Sequence, residues 1–155
     1  MPKKLINDYI FYKIVCLDDS CELCYVGSTA NWKERHRDHK SNCTNENSTK
    51  YNTKVYKTIR ENGGWDNFKM IEIGTREQLT FRQAEQIEEE YRIQLKANLN
   101  TYKCYLTKQQ KYAQKYEVII CECGCMITKG YLTKHKKTKK HNDLIKFICL
   151  SSTQL

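Results

Sequence analysis

The chain has 155 residues, 39% of them hydrophobic and 29% charged, which is enough apolar material for one modest core with a small appendage. With 27 Lys and Arg against 18 Asp and Glu it carries +9, and no apolar run approaches the about 18 residues of a membrane-spanning helix. The opening Met1-Pro2-Lys3-Lys4-Leu5 lacks the apolar stretch of a secretory signal, and one proline, six glycines and no low-complexity tract exclude disordered and fibrous classes, so the expectation is a soluble, basic, intracellular protein without a membrane partner.

In chain order, Tyr9 to Cys16 is β-branched and aromatic and predicts a strand. Residues 17–22 are turn-like, and 23–28 predict a second strand, so the two form a hairpin. Residues 31–41 predict a helix with Thr29 or Asn31 as N-cap, followed by an Asn-, Ser- and Thr-rich loop over 42–50. Val55, Tyr56 and Ile59 mark a helix over 52–62 that Gly63-Gly64 ends. Trp65 to Ile73 predicts a third strand. Thr80 and Gln83 have the spacing of a capping box, opening a helix to about Leu95 with Phe81, Ala84, Ile87, Tyr91 and Leu95 on one face. This order predicts an α+β body over 8–101, a polar linker over 102–117 and a small second unit over 118–147.

Charge is unevenly placed. Residues 1–102 hold 16 basic and 15 acidic side chains, whereas 103–155 hold 11 lysines and 3 acids, a net of +8. A basic tail on a nearly neutral body suits a polyanion. The cysteine count, nine, is odd; without a signal peptide, reduced thiols and a metal site are expected, in a reducing compartment that is cytoplasm or nucleus.

If Cys16 pairs with Leu23 across the turn, Ile14 faces Tyr25 and Tyr12 faces Gly27, which puts both phenols on one side of the sheet. The next helix presents Trp32, Arg35 and His39 as one stripe. Two phenols, a guanidinium and an imidazole can therefore converge on one spot.

The segments Ile10-Phe11-Tyr12-Lys13-Ile14 and Tyr25-Val26-Gly27-Ser28-Thr29, followed by Arg35 and His39, resemble the GIY-YIG nuclease domain over about residues 9–100. Ile10 stands where that family has glycine, and Val26 where it has isoleucine. The resemblance implies a three-stranded antiparallel sheet flanked by helices. It implies hydrolysis of a DNA phosphodiester, in duplex or branched DNA, with a single Mg²⁺ or Mn²⁺. It also implies a carboxylate on the late helix and an asparagine after it, which Asn100 fits. For the carboxylate, Glu85, Glu88, Glu89 and Glu90 compete; Glu88 borders the packed stripe and stands three before Tyr91, while Glu89, about 100° round the helix, is expected to face solvent, and the choice between Glu88 and Glu89 stays open. In that frame Glu88 holds the cation, Arg35 the non-bridging oxygens, Tyr12 accepts a proton from water or orients it, and Tyr25 and His39 position water and phosphate.

Cys121-x-Cys123, eleven residues, then His135-x5-His141 resembles a two-Cys, two-His zinc finger with a short Cys spacing that Cys125 could widen by replacing Cys123. Lys129, Lys134, Lys136, Lys137, Lys139 and Lys140 surround it and suit phosphate contacts. The tail resembles those of stand-alone GIY-YIG proteins of large DNA viruses, suggesting a viral source. The expected function is thus a metal-dependent DNA endonuclease with a zinc-stabilised nucleic-acid-binding tail. The alternatives are a non-catalytic nucleic-acid-binding module on a degenerate nuclease fold, or a zinc-dependent RNA-binding protein.

Overall fold

Strand β1 (Ile6–Cys16) forms the middle of a three-stranded antiparallel sheet, between β2 (Cys24–Thr29) and β3 (Phe68–Thr80). The computed structural model describes residues 5–18 and 20–152; Met1 to Lys4 and Asp19 of the hairpin loop, both part of the sequence reading, lie outside the described residues. Helices α1 (Trp32–Thr44), α2 (Lys54–Glu61) and α3 (Phe81–Gln94) complete the first unit, which ends at Tyr105. The expected α+β architecture is the one found.

Alternation along β1 decides which helices cover which face. Tyr12 and Ile14 pack with Val55, Tyr56 and Ile59 of α2 and with Trp65, Phe68, Met70 and Leu99. Tyr9 and Phe11 point the other way and pack with Ala84 of α3, with Ile73, Ile87 and Tyr91 around them. The sheet thus lies between α1 and α2 on one face and α3 on the other. Burying both faces of one central strand is what gives so small a unit a closed core.

The hairpin register places Ile14 opposite Tyr25 and Tyr12 opposite Gly27, as the sequence predicts. Asn31 proves to be the N-cap of α1, accepting from the Glu34 amide, and Thr80 with Gln83 makes both bonds of a capping box. Gly63 and Gly64, at φ of +92° and +83°, end the α2 turn. The third strand starts later and runs further than the sequence suggests. Trp65–Asn67 forms a 3-10 turn that buries Trp65, and residues 74–79, mostly polar, continue β3 along the outer part of β1. Phe81 is 64% exposed instead of packed, because it occupies the first turn of α3, beyond the sheet contact.

β2 is an edge strand, and the segment after α3 covers it. The amide of Leu99 donates to the Cys24 carbonyl. Asn98 accepts from the Cys24 amide and donates to the Glu22 carbonyl, and Asn100 does the same for both backbone groups of Val26. Side-chain amides here replace a fourth strand, satisfying edge groups that would otherwise stay unpaired.

The second unit begins at Leu106. Residues 108–116, read from the sequence as part of a linker, form helix α4 (Lys108–Tyr116), whose Thr107–Gln110 capping box holds its start. A hairpin of β4 (Val118–Ile120) and β5 (Met126–Thr128), a short helix α5 (Leu132–His135) and helix α6 (Lys139–Ser152) follow. Among the described residues no helix is long and apolar enough to cross a membrane.

Candidate active site and metal centre

Tyr12 is the hub of the first site. Its side chain is fully buried, and its hydroxyl meets two partners: Arg35 Nε donates to it at 2.7 Å, and His39 Nε2 lies 2.8 Å away. His39 is also buried, and its Nδ1 lies 3.0 Å from the Tyr56 hydroxyl. The imidazole is thus suspended between two phenols, accepting at one nitrogen and donating from the other. Burial, reinforced by Arg35, pushes its pKa down to about 3, so it is neutral at ordinary pH. Burial drives the Tyr12 phenol well above its usual range, with Arg35 only partly offsetting it, and pushes Tyr25 up to about 12. Both phenols therefore remain protonated at neutral pH, which suits hydrogen bonding and water orientation rather than proton abstraction.

Gly27 explains how the Tyr12 ring fits. A Cβ at this position would run into Tyr12 Oη and Cζ, so the ring lies where a side chain of β2 would otherwise stand. Tyr25, on the same face, places its ring 6.4 Å from that of Tyr12 and 5.6 Å from that of His39. Trp32 closes the side of the cluster, edge-on to Tyr12 at 6.0 Å.

Glu88 approaches from α3, on the opposite face of the sheet. Ser28 Oγ donates to it at 2.5 Å. Arg35 and Glu88 line the same two cavities, so groups from both faces meet around the β2 edge. Burial raises the Glu88 pKa, while the Ser28 hydroxyl, the Cys104 thiol and Arg35 pull the other way. Glu89 does not face solvent as the helical wheel predicts. It is buried, Arg92 grips both of its oxygens at 2.8 and 2.7 Å, and the Cys104 amide donates to it at 2.8 Å. The wheel treats α3 as an isolated cylinder, whereas the chain folds back after Asn100 and covers this side. Glu89 is an internal tie; Glu88 is the carboxylate beside open space.

Asn100 lines one of the two cavities but spends its amide on Val26, so it fixes the β2 edge instead of reaching outward. Tyr56, Ser28 and Cys104 were not singled out from the sequence. Tyr56 looked like an ordinary core residue at helical spacing, and no local signal joins Ser28 or Cys104 to α3.

In the second unit, Cys121, Cys123, His135 and His141 are buried, with ligand atoms all within 4.8 Å of one another. Cys123 Sγ lies 3.1 Å from His135 Nε2, and Cys121 Sγ 3.6 Å from His141 Nδ1. Two thiols and two imidazoles facing a common point are the donor set of tetrahedral zinc, and this cluster can hold it. Cys125 is outside the cluster. Its carbonyl accepts from the Cys121 amide, and Gly124 at φ +80° makes the tight turn between them. Glu122 Oε1 lies 3.5 Å from the outer nitrogen of His141, and Lys136 pairs with the same oxygen at 2.9 Å. A carboxylate behind a ligating histidine fixes which nitrogen faces the metal. Of the surrounding lysines, Lys129 pairs with Glu117, while Lys134, Lys137, Lys139 and Lys140 are exposed.

No curated protein and no solved structure matches the chain. A family model does: that of the GIY-YIG catalytic domain, over residues 8–103.

Proposed function

Because the chain belongs to the GIY-YIG family, whose catalytic domain is a nuclease domain that uses divalent metal and acts on DNA, we propose that it is a metal-dependent DNA endonuclease with a zinc-stabilised, nucleic-acid-binding tail. The observation that carries this reading is the meeting of Arg35 and Glu88 around the edge of β2, beside Tyr25 and Ser28.

Glu88 would hold Mg²⁺ or Mn²⁺. Glu88 lines a cavity of about 360 Å³ and another of about 410 Å³ that it shares with Glu85, which leaves room for waters and a phosphate oxygen, the ligands a hard cation needs. When bound, the cation polarises phosphorus and offsets charge on the leaving oxygen. The chain supplies the remainder. Arg35, with Nε fixed on Tyr12, turns its outer nitrogens toward the non-bridging oxygens. Tyr12 and His39 act behind it, holding its angle. Tyr25, which lines the opening toward α2, orients the attacking water as a neutral phenol. Asn100 secures the strand that carries Tyr25.

The exposed lysines of the second unit would contact phosphates, giving affinity that falls with salt and depends little on sequence. Nine cysteines, three of them in a zinc-competent cluster or its turn, favour a reducing compartment.

The test is nicking of supercoiled plasmid with Mg²⁺ by wild type, Arg35→Ala and Glu88→Ala. Nicking by wild type that both variants lose supports the enzyme. Equal nicking by all three, or none by wild type, refutes it. Competition with single-stranded RNA tests the substrate, because strong RNA preference contradicts a DNA enzyme.

A further inference from the structure

The cleft of about 360 Å³ beside Arg35 and Glu88 extends past them to Lys50, Thr53, Tyr102 and Lys103, which have no part in the reaction chemistry. Its floor is apolar: Tyr25, Val55 and Tyr56, all belonging to or packed against the core. Its rim is different. Tyr102 stands there 84% exposed, and Lys50 and Lys103 flank it from two separate loops. Helix α2 also begins at this cleft, with its N-cap Thr53 and its Val55 among the lining residues.

We propose that this cleft is a subsite for one unpaired nucleotide adjoining the scissile phosphate, with Tyr102 stacking on the base and Lys50 and Lys103 holding the outer phosphate. The proposal rests on the nuclease reading of Arg35 and Glu88 and adds the substrate class: DNA with a single-stranded segment at the cut, such as a flap or branch. The shape carries the argument. A duplex presents a convex wall of phosphates with its bases stacked inside and has nothing to insert into an apolar recess. An unpaired nucleotide offers a flat base for an exposed aromatic ring and a charged phosphate for the lysines. The cavity on the other side of Glu88 lacks this character. It is walled by Ser28, Thr29, Phe81 and a second carboxylate, Glu85, with no lysine, which suits the cation side of the reaction. The two clefts share the Arg35–Glu88 wall, so a strand crossing it would place its outer phosphate on the basic side.

The test uses the full zinc-loaded chain without added Mg²⁺, and a single-stranded oligonucleotide carrying 2-aminopurine, whose emission falls on stacking. Wild type and Tyr102→Phe should quench it at the same protein concentration. Tyr102→Ala should need about tenfold more, and Lys50→Ala should flatten the salt dependence. With Mg²⁺ and a flap substrate, Tyr102→Ala should raise KM about tenfold and change kcat far less. Equal quenching by Tyr102→Ala and wild type, or competition by duplex as effective as by single strand, overturns the subsite. The two readings fail separately. A chain that quenches through Tyr102 but never cuts keeps the subsite and loses the nuclease. One that cuts, and whose cutting ignores Tyr102, keeps the nuclease and loses the subsite.

Discussion

Asn100 grips Val26 by both of its backbone groups, accepting from the amide at 3.0 Å and donating to the carbonyl at 2.8 Å. A tie of this kind fixes the β2 edge from within the chain. Asn100→Ala leaves both groups of a buried residue unpaired and should cost about 1–3 kcal/mol in urea unfolding. Asn100→Asp keeps the acceptor but sets a carboxylate against the Val26 carbonyl, and should be no better. Unchanged unfolding midpoints for both variants would remove this role.

Arg35→Ala should lower nicking by roughly 10²–10³, the range for removing a preorganised electrostatic contact. Arg35→Lys should not restore it, since lysine lacks both the fork and the Nε that Tyr12 fixes. Tyr12→Phe retains the ring and deletes the hydroxyl between Arg35 and His39, and a loss of about 10² is expected from misplacing the guanidinium. Single-turnover rates with unchanged tryptophan emission separate these losses from unfolding.

Glu88→Gln should abolish metal-dependent nicking while leaving stability nearly intact, whereas Glu89→Gln should mainly destabilise, because Arg92 then lies over a neutral partner. The reverse pattern in paired activity and urea measurements would make Glu89 the metal ligand.

His39 sets an acid limit on the first unit. Its folded pKa, about 3, lies below the ordinary value of 6.5, so the unfolded chain binds the proton more tightly. Stability from this group is complete above about pH 6.5 and drains away as pH falls toward 3. The only tryptophans, Trp32 and Trp65, both lie in this unit, so their emission follows its unfolding alone. Between pH 6.5 and 4, stability should fall less steeply in His39→Gln than in wild type; parallel slopes would contradict the assignment.

For the second unit, wild type should retain one zinc per chain after dialysis, as should Cys125→Ser, while Cys123→Ser should lose it. Glu122→Gln should weaken zinc about 10–100-fold through His141. Metal analysis of the four proteins decides between Cys123 and Cys125. Chelation should reduce helical circular dichroism without moving tryptophan emission.

The sequence made the local and periodic features legible. Setting Cys16 opposite Leu23 across the turn places Tyr12 opposite Gly27, and the capping box at Thr80 announces α3 to the residue. What it hid depends on chain returning from far away. Glu89 is buried by residues fifteen positions later, and Tyr56 meets His39 across two helices. Helix α4 is hard to read from the sequence for another reason. It buries nothing, so the apolar stripe that marks a helix is absent, although the Thr107–Gln110 box was there to be read.

Of the residues in the Tyr25-Val26-Gly27 motif, Gly27 has no functional group, yet its emptiness is what the Tyr12 ring occupies. Filling that notch with a single methyl group would evict the phenol and, through it, unseat Arg35 and His39 together. A survey of this protein's variants that scores only acids, bases and ligands would pass such a change as harmless while the centre had come apart.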